Sequence, residues 1–160
     1  MYVFRVKSNA AIVAGVCAFL SISTAQAADI SLEFDLVTVS LESRKFEAPG
    51  IDGQVLSQSK LFGVAVFKDG RYGTKDFINS GELKNGVGNL NGYSTYNFQE
   101  GTVSARWEAS VGPDGVHGKY KILSGTGSYS GATGSGTLDS IPNPFKTSGL
   151  YRIKLAVKTP

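Results

Sequence analysis

The sequence predicts an all-β domain closed into a single antiparallel β-barrel of about eight strands. Three observations carry that prediction. Apolar residues recur at period two along most of the chain after residue 27. Clusters rich in glycine, asparagine and aspartate separate those segments at roughly regular spacing. No segment in the same region combines a helical apolar period with helix caps.

The elements follow in order. From Ile30 to Ser40 the chain reads ISLEFDLVTVS, with Ile30, Leu32, Phe34 and Leu36 alternating against Ser31, Glu33 and Asp35, as in a half-buried strand. After Leu36 the apolar phase moves to Val37, Val39 and Leu41, and this shift predicts a β-bulge at that point. Pro49-Gly50 and Asp52-Gly53 mark a loop before LFGVAVF, Leu61 to Phe67, a strand apolar on both faces that ends in the Asp69-Gly70 turn signal. Arg71 to Leu83 is a less regular strand, and Asn85 to Asn89 is a further turn cluster. Tyr93 to Gln99 is aromatic and strand-like, and Glu100-Gly101 turns it into the clearest alternation in the chain. There Val103, Ala105, Trp107, Ala109 and Val111 share one face while Ser104, Arg106, Glu108 and Ser110 share the other. Burying two unpaired charges costs several kcal/mol, so the Trp107 face is predicted to point into the barrel. Gly112-Pro113-Asp114-Gly115 turns into Val116 to Leu123, with Val116, Gly118, Tyr120 and Ile122 on one face. Tyr151, Ile153, Leu155 and Val157 alternate with Arg152, Lys154 and Lys158 in a last strand, long enough to pair with the first. Closure is preferred to an open two-sheet sandwich because it removes edges that would otherwise template aggregation.

The stretch GTGSYSGATGSG, Gly125 to Gly136, is the most distinctive in the chain. A dinucleotide fingerprint would place glycine at position 130, where Ser130 stands, and a nucleophile elbow would place serine where Tyr129 stands. The stretch reads instead as a barrel strand kept small, its glycines letting the backbone bend and a neighbouring aromatic lie across it.

The longer run YKILSGTGSYSGATGSGTL, Tyr120 to Leu138, resembles the signature of the allene oxide cyclase barrel-like family. In that signature a strand ends in Gly-Thr-Gly, an aromatic follows, and Gly-Ala-x-Gly-x-Gly leads into the next strand. Dirigent proteins, relatives in the same superfamily, have a comparable glycine-rich hairpin. The resemblance implies an eight-stranded, calycin-like antiparallel barrel and a secreted member of bacterial type. It also implies an interior that holds a reactive or apolar small molecule, in several relatives to steer its cyclisation or coupling. It places no catalytic residue on this chain.

The first residues predict the compartment. Met1 to Lys7 carries Arg5 and Lys7 and no acid, an apolar run follows from Ala10 to Leu20, and Ala25-Gln26-Ala27 fits a peptidase site. This is the pattern of a secretory signal peptide over residues 1–27, cleaved after Ala27, rather than of a membrane span. The remaining domain, residues 28–160, is 133 residues long and holds 14 Lys and Arg against 13 acids, with no Cys. Scattered basic residues near charge balance argue against nucleic acid. A cysteine-free domain for an oxidising compartment must rely on its hydrophobic core. The expected location is secreted or periplasmic, with no membrane anchor after cleavage; homo-oligomerisation is left open.

Candidate chemistry is sparse. His117 is the only histidine and falls on a polar strand face, where a surface role needs nothing further. With no second histidine and no cysteine in the domain, no metal site is expected, and no cofactor. Glu33 and Asp35 share a face and read as surface acids. Phe34, Tyr96, Phe98, Trp107, Tyr120 and Tyr151 are the residues that would line an interior ligand site. The same rings could equally fill a solid core. The sequence therefore predicts an exported barrel that binds an apolar or aromatic small molecule. The alternative is a cyclase or isomerase of allene oxide cyclase or dirigent type, acting by shape-guided ring closure or coupling; whether the protein is an enzyme stays open.

Overall fold

The structure, a computed structural model, describes residues 28–145 and 147–160. The expected signal peptide, residues 1–27, lies outside the described residues. Eight strands follow one another: β1 (Ala28–Glu47), β2 (Gln54–Phe67), β3 (Tyr72–Lys84), β4 (Val87–Phe98), β5 (Gly101–Gly112), β6 (Gly115–Gly125), β7 (Thr133–Ser140) and β8 (Gly149–Thr159). Each pairs antiparallel with the next, and β1 pairs with β8 from Ala28↔Thr159 to Thr38↔Gly149, which closes the barrel. Among the described residues no helix is long and apolar enough to cross a membrane.

Alternation sets what faces inward. Leu32, Phe34, Leu36 and Thr38 of β1 are buried, as are Val103, Ala105, Trp107 and Ala109 of β5, while Arg106 and Glu108 are exposed as expected. At one end, the lower rim, lie the connections at 68–71, 99–100 and 126–132; the upper rim carries those at 48–53, 85–86, 113–114 and 141–148. The β3–β4 connection is the two-residue Asn85-Gly86, both with positive φ (52° and 83°), the left-handed pair whose twist matches that of flanking strands.

Two expectations are corrected. The β1 bulge falls between Ser40 and Glu42 rather than after Leu36, and inward alternation runs unbroken from Leu32 to Thr38. Val37, Val39 and Leu41 simply point outward and are exposed, so the apolar phase shift marks the outer face. The glycine stretch is a strand only in its last part. Gly125 ends β6, Gly127–Tyr129 forms one turn of 3₁₀-helix, and β7 begins at Thr133. Gly127 and Gly131 hold φ of 59° and 70°, a left-handed conformation that no strand continues through. Gly134 and Gly136 then face inward with Leu138, while Thr133, Ser135 and Thr137 are exposed.

Beyond Thr38, β1 runs on as a hairpin arm whose only ladder partner is β2. Residues 39–47 are all exposed, and Glu42, Arg44, Lys45 and Glu47 place charges along the free edge, where they oppose pairing with another strand.

Candidate functional site

The interior is not uniformly apolar, because Lys75 lies inside it with 0% of its surface exposed. The phase of β3 puts it there. Gly73, Lys75 and Phe77 face inward, while Asp76 and Ile78 face out. Shifting the strand by one residue would expose Phe77, which packs edge-on against Trp107 at 6.3 Å, and would place Asp76 in the core. Lys75 pairs with Tyr96 on β4 and, on its other side, lies opposite Gly63 on β2, so no bulky neighbour crowds its stem.

The Lys75 ammonium is surrounded by rings. Its Nζ lies 4.2 Å from the Phe77 centroid, 5.0 Å from Tyr96, 5.1 Å from Tyr120 and 5.7 Å from Trp107. It donates one hydrogen bond, to the Tyr120 hydroxyl oxygen at 2.9 Å. Among the described residues no carboxylate forms an ion pair with it. Ring faces offer a cation some attraction, but burial without a counter-ion penalises the charged form. Burial pushes the Lys75 pKa down to about 7. It pushes the Tyr96 and Tyr120 hydroxyls up, Tyr96 further raised by its proximity to Tyr120. Both tyrosines therefore keep their protons.

Three more polar atoms in this interior are buried without a hydrogen-bond partner: Ser94 Oγ, Tyr96 Oη and Trp107 Nε1. Buried polar groups are mostly satisfied, so each of these three asks for a cause. Trp107 Nε1 can only donate, and the two hydroxyls can donate, as can the Lys75 amine. The chamber has donors to spare.

Below it, the lower rim holds a concavity of about 650 Å³ between the 68–71 and 99–100 turns, lined by inward Phe67, Gly73 and Phe98 and by outward Tyr72, Thr74 and Asn97 among others. Arg71 lines it, bonded to Asp69 at 2.8 Å and Glu100 at 3.2 Å, with its guanidinium 4.6 Å above the Phe67 ring. Phe98 lines this concavity. Its ring stacks on Tyr96 (5.8 Å, 6°), meets Tyr129 edge-on at 6.0 Å, and lies against Gly73, where an added Cβ would come within 2.6 Å of it.

The residues expected from the sequence all face the interior. Phe34, Tyr96, Phe98 and Tyr120 form one edge-to-face series with centroids 5.4 to 6.1 Å apart. Trp107 joins it through Lys75 and Phe77. Tyr151 stands apart, half-buried toward the upper rim against Gly149. The sequence reading missed Lys75, Phe67, Phe77 and Tyr129. A usable signal for Lys75 was its parity with Gly73, Phe77 and Gly81, the inward set of β3. His117 is on the outer face as expected, hydrogen-bonded to Asp139 at 2.9 Å and 3.6 Å from Asp114. Glu33 and Asp35 also face outward, paired with Lys68 at 3.8 Å and Arg152 at 3.1 Å.

No family model matches the chain, and no curated protein matches it in sequence. Solved structures share its fold. A pterocarpan synthase dirigent protein superposes with a TM-score of 0.60 at 14% identity, over 83% of this chain and 91% of the other. A second pterocarpan synthase dirigent protein gives 0.57 at 14% identity, over 81% and 94%. A protein of unknown function of the DUF3224 family from Shewanella oneidensis MR-1 gives 0.59 at 9% identity, over 83% and 100%. The fold is a dirigent-like barrel, as the glycine-rich run implied.

Proposed function

We propose that this is an exported barrel that binds an apolar or aromatic small molecule carrying an acceptor oxygen, with Lys75 as its polar anchor. The observation that supports this most directly is the chamber itself. A lysine with no counter-ion and three unpartnered polar atoms sit inside a wall of aromatic rings. A core serving stability alone would do better with leucine or methionine at position 75, because burying an unpaired charge costs several kcal/mol. A ligand with an apolar body would contact the rings, and its oxygen would receive the spare donors. The interior around Lys75 is packed, so the ligand would enter from the lower-rim concavity by displacing the Phe98 ring.

The test is a titration with 4-methylphenol, followed by calorimetry and by the emission of Trp107, the only tryptophan in the chain and 5% exposed. Saturable heat with a shift in emission, both weakened by Lys75→Met, is the expected result. Heat and emission that do not respond across a panel of phenols and aryl ketones would refute the reading. Export is tested separately, by the mass of the protein recovered from outside the cytoplasm, where loss of residues 1–27 is expected.

A catalytic reading, ring closure or coupling of the bound molecule, is favoured by one feature, the Lys75–Tyr120 hydrogen bond. An amine and a phenol in contact can exchange a proton inside a dry chamber. Dirigent neighbours named as pterocarpan synthases share the fold, and product analysis of bound ligands separates turnover from simple binding.

A further inference from the structure

We propose that Lys75 is a carbonyl-capturing amine, which forms an imine with an aromatic aldehyde or ketone seated in the barrel. This rests on the binding reading above and adds a covalent step to it.

The geometry isolates one amine. Every other lysine among the described residues is exposed. Lys75 alone ends inside the packed aromatic interior, with Nζ 4.2 to 5.7 Å from four ring centroids and, among the described residues, no acid to fix it as an ammonium. Its one hydrogen-bond partner is a hydroxyl, Tyr120 at 2.9 Å, which can give or take a proton. When Lys75 is neutral, the same contact reverses direction and the phenol donates to the amine. Tyr96 Oη on the adjacent β4 and Trp107 Nε1 on β5 have no hydrogen-bond partner, so O–H and N–H donors are available for a carbonyl oxygen. Burial, which brings the pKa to about 7, leaves a large share of the amine with a free electron pair at neutral pH.

The step balances without a co-reactant. The Nζ lone pair attacks the carbonyl carbon, a C–N bond forms, and the π pair moves to oxygen, held by the spare donors. A proton passes from nitrogen to that oxygen by way of Tyr120, giving the carbinolamine. The nitrogen lone pair then forms C=N as the C–O bond breaks, and the oxygen leaves as water after taking a second proton, which the nitrogen gives up. The sum is aldehyde plus amine giving imine plus water. A dry chamber favours the product, because water that would reverse the step is excluded.

The experiment uses the purified protein with 4-hydroxybenzaldehyde and cyanoborohydride at pH 7, followed by peptide mass mapping. One reduced adduct is expected at Lys75, formed at least about tenfold faster than at any exposed lysine, because burial leaves Lys75 a large share of neutral amine at this pH. Lys75→Arg keeps a cation and cannot form an imine, so it should lose that adduct. Tyr120→Phe, which removes the hydroxyl that relays the proton, should slow trapping several-fold. If 4-methylphenol binds but adducts fall only on exposed lysines, or none form, the imine is refuted and the binding reading stands. If 4-methylphenol does not bind and Lys75 is not trapped, both fall. The wild-type map decides the matter even if a variant fails to fold.

Discussion

The two rims of the barrel are built on opposite plans. At the lower rim Phe34, Phe67, Phe98 and Tyr129 touch ring to ring, with centroids 5.0 to 6.0 Å apart, and Arg71 ties two turns together through Asp69 and Glu100. At the upper rim β1 runs on past its pairing with β8 along β2, and the large residues Leu41, Phe46 and Leu56 of these strands are 42 to 56% exposed. One end is shut by packed rings; the other spends chain length outside the core. The lower rim is therefore where ring packing concentrates.

The largest effect should come from breaking that contrast directly. Phe34→Ala removes a ring that is 2% exposed and touches three others, and should cost about 3–5 kcal/mol in denaturant unfolding. Phe46→Ala, on the upper arm and 53% exposed, should change stability by less than about 0.5 kcal/mol. Comparable losses at both positions would erase the distinction.

Next in size is the cost of Lys75. Its pKa is lowered to about 7 in the fold, so between pH 7 and about 10 the unfolded chain holds a proton that the folded chain lacks. Stability should rise with pH across that window by a few kcal/mol; below it both states are charged and the penalty is complete. The titratable groups facing Lys75 are Tyr96 from β4 and Tyr120 from β6, with Tyr151 of β8 acting on Tyr120. All three are pushed up, so they oppose folding only above about pH 10, where the unfolded chain releases protons the fold retains. Lys75→Met should flatten the pH 7–10 slope and raise stability at pH 7 by about 1–4 kcal/mol. Equilibrium unfolding at several pH values measures both.

Gly73→Ala tests how closely the Phe98 ring packs on β3 at the lower rim. The added Cβ meets the Phe98 ring at 2.6 Å and the Asn97 carbonyl oxygen at 2.8 Å, so overpacking should cost about 1–3 kcal/mol. The smallest effect belongs to the outer face. The Asp139 hydrogen bond raises the His117 pKa, and NMR titration should place its midpoint above the ordinary 6.5. Its contribution to stability is present at acid pH and lost as pH rises through that midpoint.

Sequence alone was most legible where alternation is clean. Trp107 was placed because Val103 to Val111 alternates without a break and its charges leave one choice of face. The closing pair of strands was visible for the same reason. Lys75 was not, because β3 inverts the usual pattern: Tyr72 and Ile78 lie outside at 76% and 54% exposure, while a lysine lies inside. Nothing in a lysine's own chemistry announces burial; only its register with Phe77 does. The bulge was misplaced because Val37 and Val39 are apolar on the outer face, and hydrophobicity was taken for inwardness. In the glycine stretch, small residues at nearly every position fit a strand by period two, and the left-handed Gly127 and Gly131 that break it leave no mark in that pattern.

The closing ladder between β1 and β8 has a consequence for how the chain reaches this shape. It joins Ala28 to Thr159, so the last seam of the cylinder links residues at opposite ends of the domain. Every other seam joins neighbours in the chain and needs only a short loop to form. Contacts of such long sequence separation carry the largest loss of chain entropy and set a slow folding rate. The chain can assemble its hairpins one after another, but it remains an open sheet with two unpaired edges until the final strand docks. Folding of this barrel is a race between that docking and capture of those edges by another chain.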